Sequence, residues 1–347
     1  MDPILDFSFA VILYLQNLGD WLIAAMKFFT FLGQEDFFLL IMPALYWCVN
    51  TSLGLRIGVI LLISHGLNEI LKMVFHSPRP YFLNIQVRAL ATETSFAAPS
   101  GHAQDAAAVW GLLAAILQRG WAWAIALGLI FLIGSSRVIL GVHFPGDVLL
   151  GWAVGGLLVW AYLKVEAPIL DRLRRQTPIR QVLLVFIVSL VLILSGILAR
   201  FSLGDWATPA EWLQNVSITA PEGDLPDPLS LDKLVMVAGA LFGLAGGAIW
   251  LKTRGEFLPQ GSWWKRILRI PVGLVGVLLL WFGLGAVFPR GDFALAYGLR
   301  YLRYAFVGLW IAALAPLVFA RLGLARLEVE RGTKESREDA YGMHPSR

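Results

Sequence analysis

The run from Gln181 to Ala199 contains no charged residue, and similar apolar runs recur along the chain. A stretch of about 20 apolar residues is long enough to cross the hydrocarbon core of a bilayer as one helix. Inside that core a span must satisfy its own backbone polar groups, and a helix does so within one segment. The expected fold is therefore all-α: a polytopic transmembrane helical bundle. Composition agrees, with 58% hydrophobic and 15% charged residues, where a soluble domain carries about 25% charged residues. A formal charge of +4 might be taken for a nucleic-acid binder's, but the basic excess lies in alternate loops, as membrane orientation demands, so no nucleic-acid partner is expected. The single cysteine, Cys48, lies in an apolar run and supports no disulfide framework.

Residues 1–35 are interrupted by Asp6, Gln16, Asn17, Asp20 and Lys27 and lack the marks of a cleaved signal peptide. Two readings stand: one or two amphipathic helices at the interface, or a tilted span from Leu5 to Ala25. Residues 36–166 hold spans at Phe37–Val49, Leu53–Phe75, Gly101–Gln118, Trp121–Leu140 and Val148–Lys164. A basic cytoplasmic connector occupies 167–180, further spans fill 181–320, and 321–347 form a charged cytoplasmic tail. Lys164–Arg180 has five basic and two acidic residues, Phe201–Asp232 has six acidic and no basic ones, and Leu251–Ile270 has five basic and one acidic. Basic-inside alternation puts the end of the bundle near Asp147 on the outer side. Glycines at 151, 155 and 156, at 239, 243, 246 and 247, and at 273 and 276 suit close helix packing. The later ones could also line a lateral wall beside the core. Asn215-Val216-Ser217 is a possible glycosylation triplet.

Between Lys72 and Asp147 a few ionisable groups sit at depths where each is expensive. His65, Asn68 and Lys72 recur at i, i+3 and i+7 on one helix face; for His65 and Asn68 a purely structural polar seam is an equal reading. Ser77-Pro78-Arg79-Pro80 ends that helix, and an irregular loop carrying Arg88 and Glu93 follows. Pro99-Ser100-Gly101-His102 opens the next helix, with Ser100 at the N-cap position and Gly101 permitting close backbone approach. A helix N-terminus is an anion site. Ser136-Arg137, His143 and Asp147 come next, Asp147 falling in the first turn of a helix begun by Pro145. With helices alternating in direction, Arg79, Ser100 and His143 fall on one side of the membrane. A phosphate ester there carries about −1.5 to −2 charges, which Lys72, Arg79 and Arg137 match. The same cations would repel a divalent metal, and no zinc-ligand spacing is present, so neither metal nor other cofactor is expected.

Lys72-x6-Arg79-Pro80, Pro99-Ser100-Gly101-His102 and Ser136-Arg137-x5-His143-x3-Asp147 resemble, in order and spacing, the three signature motifs of the type 2 phosphatidic acid phosphatase superfamily. The resemblance covers roughly Phe37–Lys164. It implies that His143 is the nucleophile of a phosphohistidine mechanism, with Asp147 fixing its tautomer. His102 is then the general acid and base, and Lys72, Arg79, Ser100, Gly101 and Arg137 hold the phosphoryl oxygens. The implied activity is metal-independent hydrolysis of a lipid phosphate or diphosphate whose tail stays in the bilayer, at a site facing outward from a bacterial plasma membrane. A phosphotransferase using the same site, and a non-catalytic lipid-binding or transport protein, are the competing readings; the intact His102, His143 and Asp147 disfavour the second.

Overall fold

The computed structural model describes residues 3–328. The chain opens with α1 (Pro3–Gln16) and α2 (Asp20–Phe31), which meet at 106°. Gly19 makes that bend with φ of +114°, a region that side chains other than hydrogen disfavour. The segment is thus two helices at a sharp bend and not one straight helix from Leu5 to Ala25. Gln16 fastens the bend to the bundle, its amide donating to Arg88 O at 2.9 Å and Ile139 O at 3.1 Å.

Helix α3 (Glu35–Ala44) runs on through a π-helical turn, Leu45–Val49. Asn50 then caps α4 (Thr51–Phe75), accepting from Leu53 N at 2.8 Å. The helix α4 stops at His76, which takes φ of +37° just before Ser77 and Pro78. The short α5 (Pro80–Leu83) follows, then α6 (Gly101–Leu117), α7 (Gly120–Ile139) and α8 (Pro145–Arg174). Helix α6 is held between α7 and α8 and against α4. A Cβ at Gly151 would lie 2.6 Å from Ser100 O, so glycine lets α8 press on the start of α6. Gly156, expected to share this role, faces open space instead.

The C-terminal half contains α9 (Pro178–Ser202), α10 (Ala210–Thr219) and α11 (Asp232–Lys252). The strand β1 (Glu256–Leu258) leads to α12 (Trp263–Leu278), which continues through a π turn into α13 (Leu284–Val287). Last come α14 (Ala294–Leu309), a further π turn, α15 (Ala315–Arg321) and β2 (Arg326–Glu328). Helices α11 and α14 make the most extensive pairing in the molecule. Side chains at Gly239 or Gly243 would collide with the carbonyls of Tyr301 or Ala305. The fully buried Arg269 clamps this half, donating to Trp47 O (2.7 Å), Pro259 O (2.5 Å), Gln260 O (3.0 Å) and Leu324 O (2.7 Å).

Seven helical stretches among the described residues are long and apolar enough to cross a membrane. Two expected spans fall short of about 20 residues: α3 with its turn, at 10 and 5 residues, and α6, at 17. The basic connector at 167–180 is mostly helix, because α8 continues to Arg174 and α9 begins at Pro178. Arg172 and Arg174 suit the negative end of α8's dipole, which explains why charge did not end the helix. The tail begins later than 321, since Arg326–Glu328 pairs antiparallel with Glu256–Leu258; the rest of it lies outside the described residues.

Candidate active site

Lys72, Arg79, Ser100, Gly101, His102, Arg137, His143 and Asp147 come from α4, the loop before α5, α6, α7 and the start of α8, and they gather at one end of the bundle. Lys72 and Arg79 converge on one residue, Ser95. Lys72 Nζ donates to Ser95 Oγ at 3.0 Å, and Arg79 binds Ser95 O at 2.7 Å and Oγ at 3.2 Å. Arg79 is fully buried and spends its other donors on Phe96 O, Val142 O and His143 Nε2, the last at 3.2 Å. A guanidinium only donates, so His143 Nε2 must be the acceptor and its proton sits on Nδ1. That Nδ1 faces Asp147, at 3.5 Å from Oδ2. Asp147 is fixed by accepting from Phe144 N at 2.8 Å, so one carboxylate caps α8 and faces the imidazole. Burial, then Arg79 and Arg137, hold the His143 imidazole well below its ordinary pKa, leaving it neutral near pH 7.

Two carboxylates complete the charge pattern. Glu69, three residues before Lys72, takes its ammonium at 2.9 Å. Glu93 takes Arg137 Nη2 at 2.6 Å, while Arg137 Nη1 donates to Thr30 Oγ1 at 2.6 Å. Burial opposes the charge on Glu93, but Arg137, Lys233 and Arg79 outweigh it and keep its carboxyl well below the usual range. Lys233 Nζ, from α11, lies 3.8 Å from Glu93 Oε2. Glu69, Ser95, Thr30 and Lys233 had not been singled out in the sequence. For Glu69 the readable signal was a carboxylate three residues from a lysine in an apolar helix; the others depend on segments distant in sequence.

Buried polar atoms without partners cluster here. Ser100 Oγ, His102 Nε2, Arg137 Nε, His143 Nδ1 and Asn68 Oδ1 are five of the seven such atoms among the described residues. Each orphaned group costs about 1–3 kcal/mol, so their concentration marks a place built for a polar ligand. Ser100 occupies the N-cap of α6, yet its hydroxyl makes no capping bond. His65 and Asn68 form the structural seam: His65 Nδ1 lies 3.0 Å from Asp105 Oδ2, Ser64 Oγ donates to Asp105 Oδ1 at 2.6 Å, and Asn68 Nδ2 donates to Gln104 Oε1 at 2.9 Å.

The loops cover this end of the bundle. Trp206 packs edge-on against Phe96 with ring centres 5.0 Å apart, Trp212 lies 5.3 Å from Phe82, and Asp227 N donates to Thr94 O at 3.0 Å. The amide of Asn215 is engaged, donating to Phe82 O at 2.8 Å, which weighs against its use as a glycosylation site. Beside the histidines opens a cavity of about 480 Å³, reaching His102, His143, Arg79 and Lys72 at one end and Tyr46 at the other.

Residues 53–171 match the family model described as "PAP2 superfamily", and residues 235–327 match "PAP2 superfamily phosphatase, transmembrane extension". The Bacillus subtilis protein named phosphatidylglycerophosphatase B is 34% identical over 151 residues, covering 40% of this chain and 72% of that protein. Bovine glucose-6-phosphatase 3 is 25% identical over 351 residues, covering 91% and 95%. The solved structure of a transmembrane PAP2 type phosphatidylglycerolphosphate phosphatase from Bacillus subtilis is 28% identical, with a TM-score of 0.43, covering 49% of this chain and 89% of that one. The motif spacing, the family model and the match to phosphatidylglycerophosphatase B agree: the chain is an integral membrane protein of the PAP2 superfamily, the type 2 phosphatidic acid phosphatases.

Proposed function

We propose that this chain hydrolyses the phosphate or diphosphate ester of a lipid through a phosphohistidine on His143. The observation that carries the reading is the imidazole's setting: Nε2 accepts from Arg79 at 3.2 Å, so its lone pair points at a phosphate-binding cation while Nδ1–H faces Asp147. In the first step that lone pair forms a P–N bond as the ester P–O bond breaks, and His102 gives a proton to the leaving oxygen. In the second, His102 takes a proton from water, whose oxygen attacks phosphorus and expels His143. Lys72, Arg79, Arg137, the Ser100 hydroxyl and the Gly101 N–H hold the phosphoryl oxygens and stabilise the charge that builds on them. Asp147 orients the ring and stabilises its positive charge. No metal or cofactor enters this scheme.

Relatives supply the candidate lipids: one is named phosphatidylglycerophosphatase, another undecaprenyl-diphosphatase and a third sphingosine-1-phosphate phosphatase. Residues 36–166 then form the phosphatase core, and 181–320 a second set of spans against it. The acidic Phe201–Asp232 segment lies at the catalytic end and the basic loops at the other, which supports a site facing the periplasm or exterior of a bacterial plasma membrane. The test is phosphate release by purified protein in detergent with EDTA, wild type against His143→Ala, over a panel of lipid phosphates and diphosphates. Release that survives EDTA and vanishes in the variant supports the scheme. An equally active variant refutes it, and product formed only with an added acceptor alcohol, without free phosphate, would make the chain a phosphotransferase.

A further inference from the structure

The cavity beside the histidines continues far beyond any phosphate. From α4 it takes Lys72 at the catalytic end, then His65, Leu62, Leu61, Gly58 and Gly54. Lys72 to Gly54 is eighteen residues, about 27 Å of helix at 1.5 Å per residue, close to the roughly 30 Å hydrocarbon core of a bilayer. Helix α11 runs the opposite way and presents Lys233, Met236, Val237, Ala240 and Leu244, a stripe at helical spacing. Tyr304, Val307 and Gly308 on α14, with Ile311 in the π turn after it, form the matching stripe. At the far end Tyr46 donates its hydroxyl to Ala312 O at 2.8 Å. Ionisable side chains crowd the end from Lys72 to His65, whereas the stretch from Leu62 to Gly54 is bounded by apolar groups and the ring of Tyr46.

Resting on the phosphatase reading above, we infer that this cavity is the seat of one hydrocarbon chain of the substrate, and that α11 and α14 form the wall that measures it. The substrate class is a long-chain lipid phosphate. The cavity, about 480 Å³, extends over about 27 Å. With C–C bonds of about 1.52 Å in a zigzag, each chain atom advances about 1.3 Å, and the channel holds about 20 atoms counted from phosphorus. The part nearest the phosphate, beside His65 and Glu35, accommodates a polar linker, and the apolar part beyond takes the tail. The wall lies within residues 235–327, which match the transmembrane extension, so the extension supplies tail selection to a site whose reacting groups lie outside it.

The test compares kcat/KM for hexyl phosphate and hexadecyl phosphate in wild type, Leu62→Trp and Ala240→Trp. The two variants intrude from opposite walls partway down the channel, so one can serve if the other fails to fold. Each buried methylene can raise affinity by up to about fourfold. The wild type should therefore favour hexadecyl over hexyl phosphate by more than about tenfold. In either tryptophan variant the long-chain preference should collapse toward unity while hexyl phosphate is still hydrolysed. Wild-type activity that is indifferent to chain length, or a preference that survives in a folded variant, would overturn the inference and leave the phosphatase reading standing. A wild type silent on every ester would overturn both.

Discussion

Replacing Glu93 with Gln should tighten phosphate binding. In the structure the Glu93 carboxylate stands where an anion is wanted: Oε1 takes Arg137 Nη2 at 2.6 Å and Oε2 lies 3.8 Å from Lys233 Nζ. An incoming phosphoryl group must share Arg137 with it or displace it toward Lys233. A hydrogen bond to a charged group is worth about 1.5–3 kcal/mol, and 1.4 kcal/mol is about tenfold in affinity. Glutamine keeps the shape and still accepts from Arg137, but it removes the competing charge. Inorganic phosphate should then inhibit the variant about ten- to a hundredfold more strongly than wild type, less so at high salt. The assay is competitive inhibition of phosphate release from a lipid phosphate in detergent at fixed ionic strength. An inhibition constant that is unchanged or weaker, with a fall in kcat/KM, would refute the reasoning and make Glu93 a support that holds Arg137 in place.

Other expectations follow from the same contacts. Because burial and two arginines depress the His143 pKa, its neutral form persists as pH falls through the ordinary histidine range near 6.5. The acid limb of kcat/KM should therefore lie below that range; a midpoint at or above it would refute the assignment. Arg269→Met leaves four carbonyls, three of them in buried hydrogen bonds, without their donor and should destabilise the fold by several kcal/mol, read as a sharply lowered unfolding temperature; unaltered thermal denaturation would contradict the clamp. Gly243→Leu drives a side chain into the backbone of α14 and should destabilise by more than about 2 kcal/mol, read by the same melting assay. Asp105→Ala strips partners from Ser64 and His65. It should cost about 2–3 kcal/mol in stability while kcat/KM stays within about tenfold of wild type; a hundredfold loss of activity in folded protein would move Asp105 into the catalytic group.

The limits of the sequence reading are clearest at particular residues. Helix α9 was legible because eighteen or more apolar residues admit one solution in a bilayer, whereas the break at Gly19 was not, since Asp20 and Lys27 fit a tilted span as well as two short helices. The end of α8 was misplaced because arginines suit both a loop and a helix C-terminus. The short strands β1 and β2 carry only three residues each, too few to show an alternation.

The one-dimensional order of residues determined the class of protein and the inventory of its chemistry. Apolar length dictates spanning helices, and Lys72, Arg79, Ser100, His102, Arg137, His143 and Asp147 lie in short motifs whose spacing can be read without coordinates. Their pairing was decided only by the fold. That Arg79 caps His143 Nε2, that Glu93 occupies Arg137, and that Lys233 reaches Glu93 from a helix some 140 residues away all depend on how the helices and the loops between them come together. The cavity is likewise a property of the gaps between helices. Apolar patterning specifies that a face is buried, but the distance between two buried faces is set by which glycines meet which backbones, as Gly239 and Gly243 do at α14.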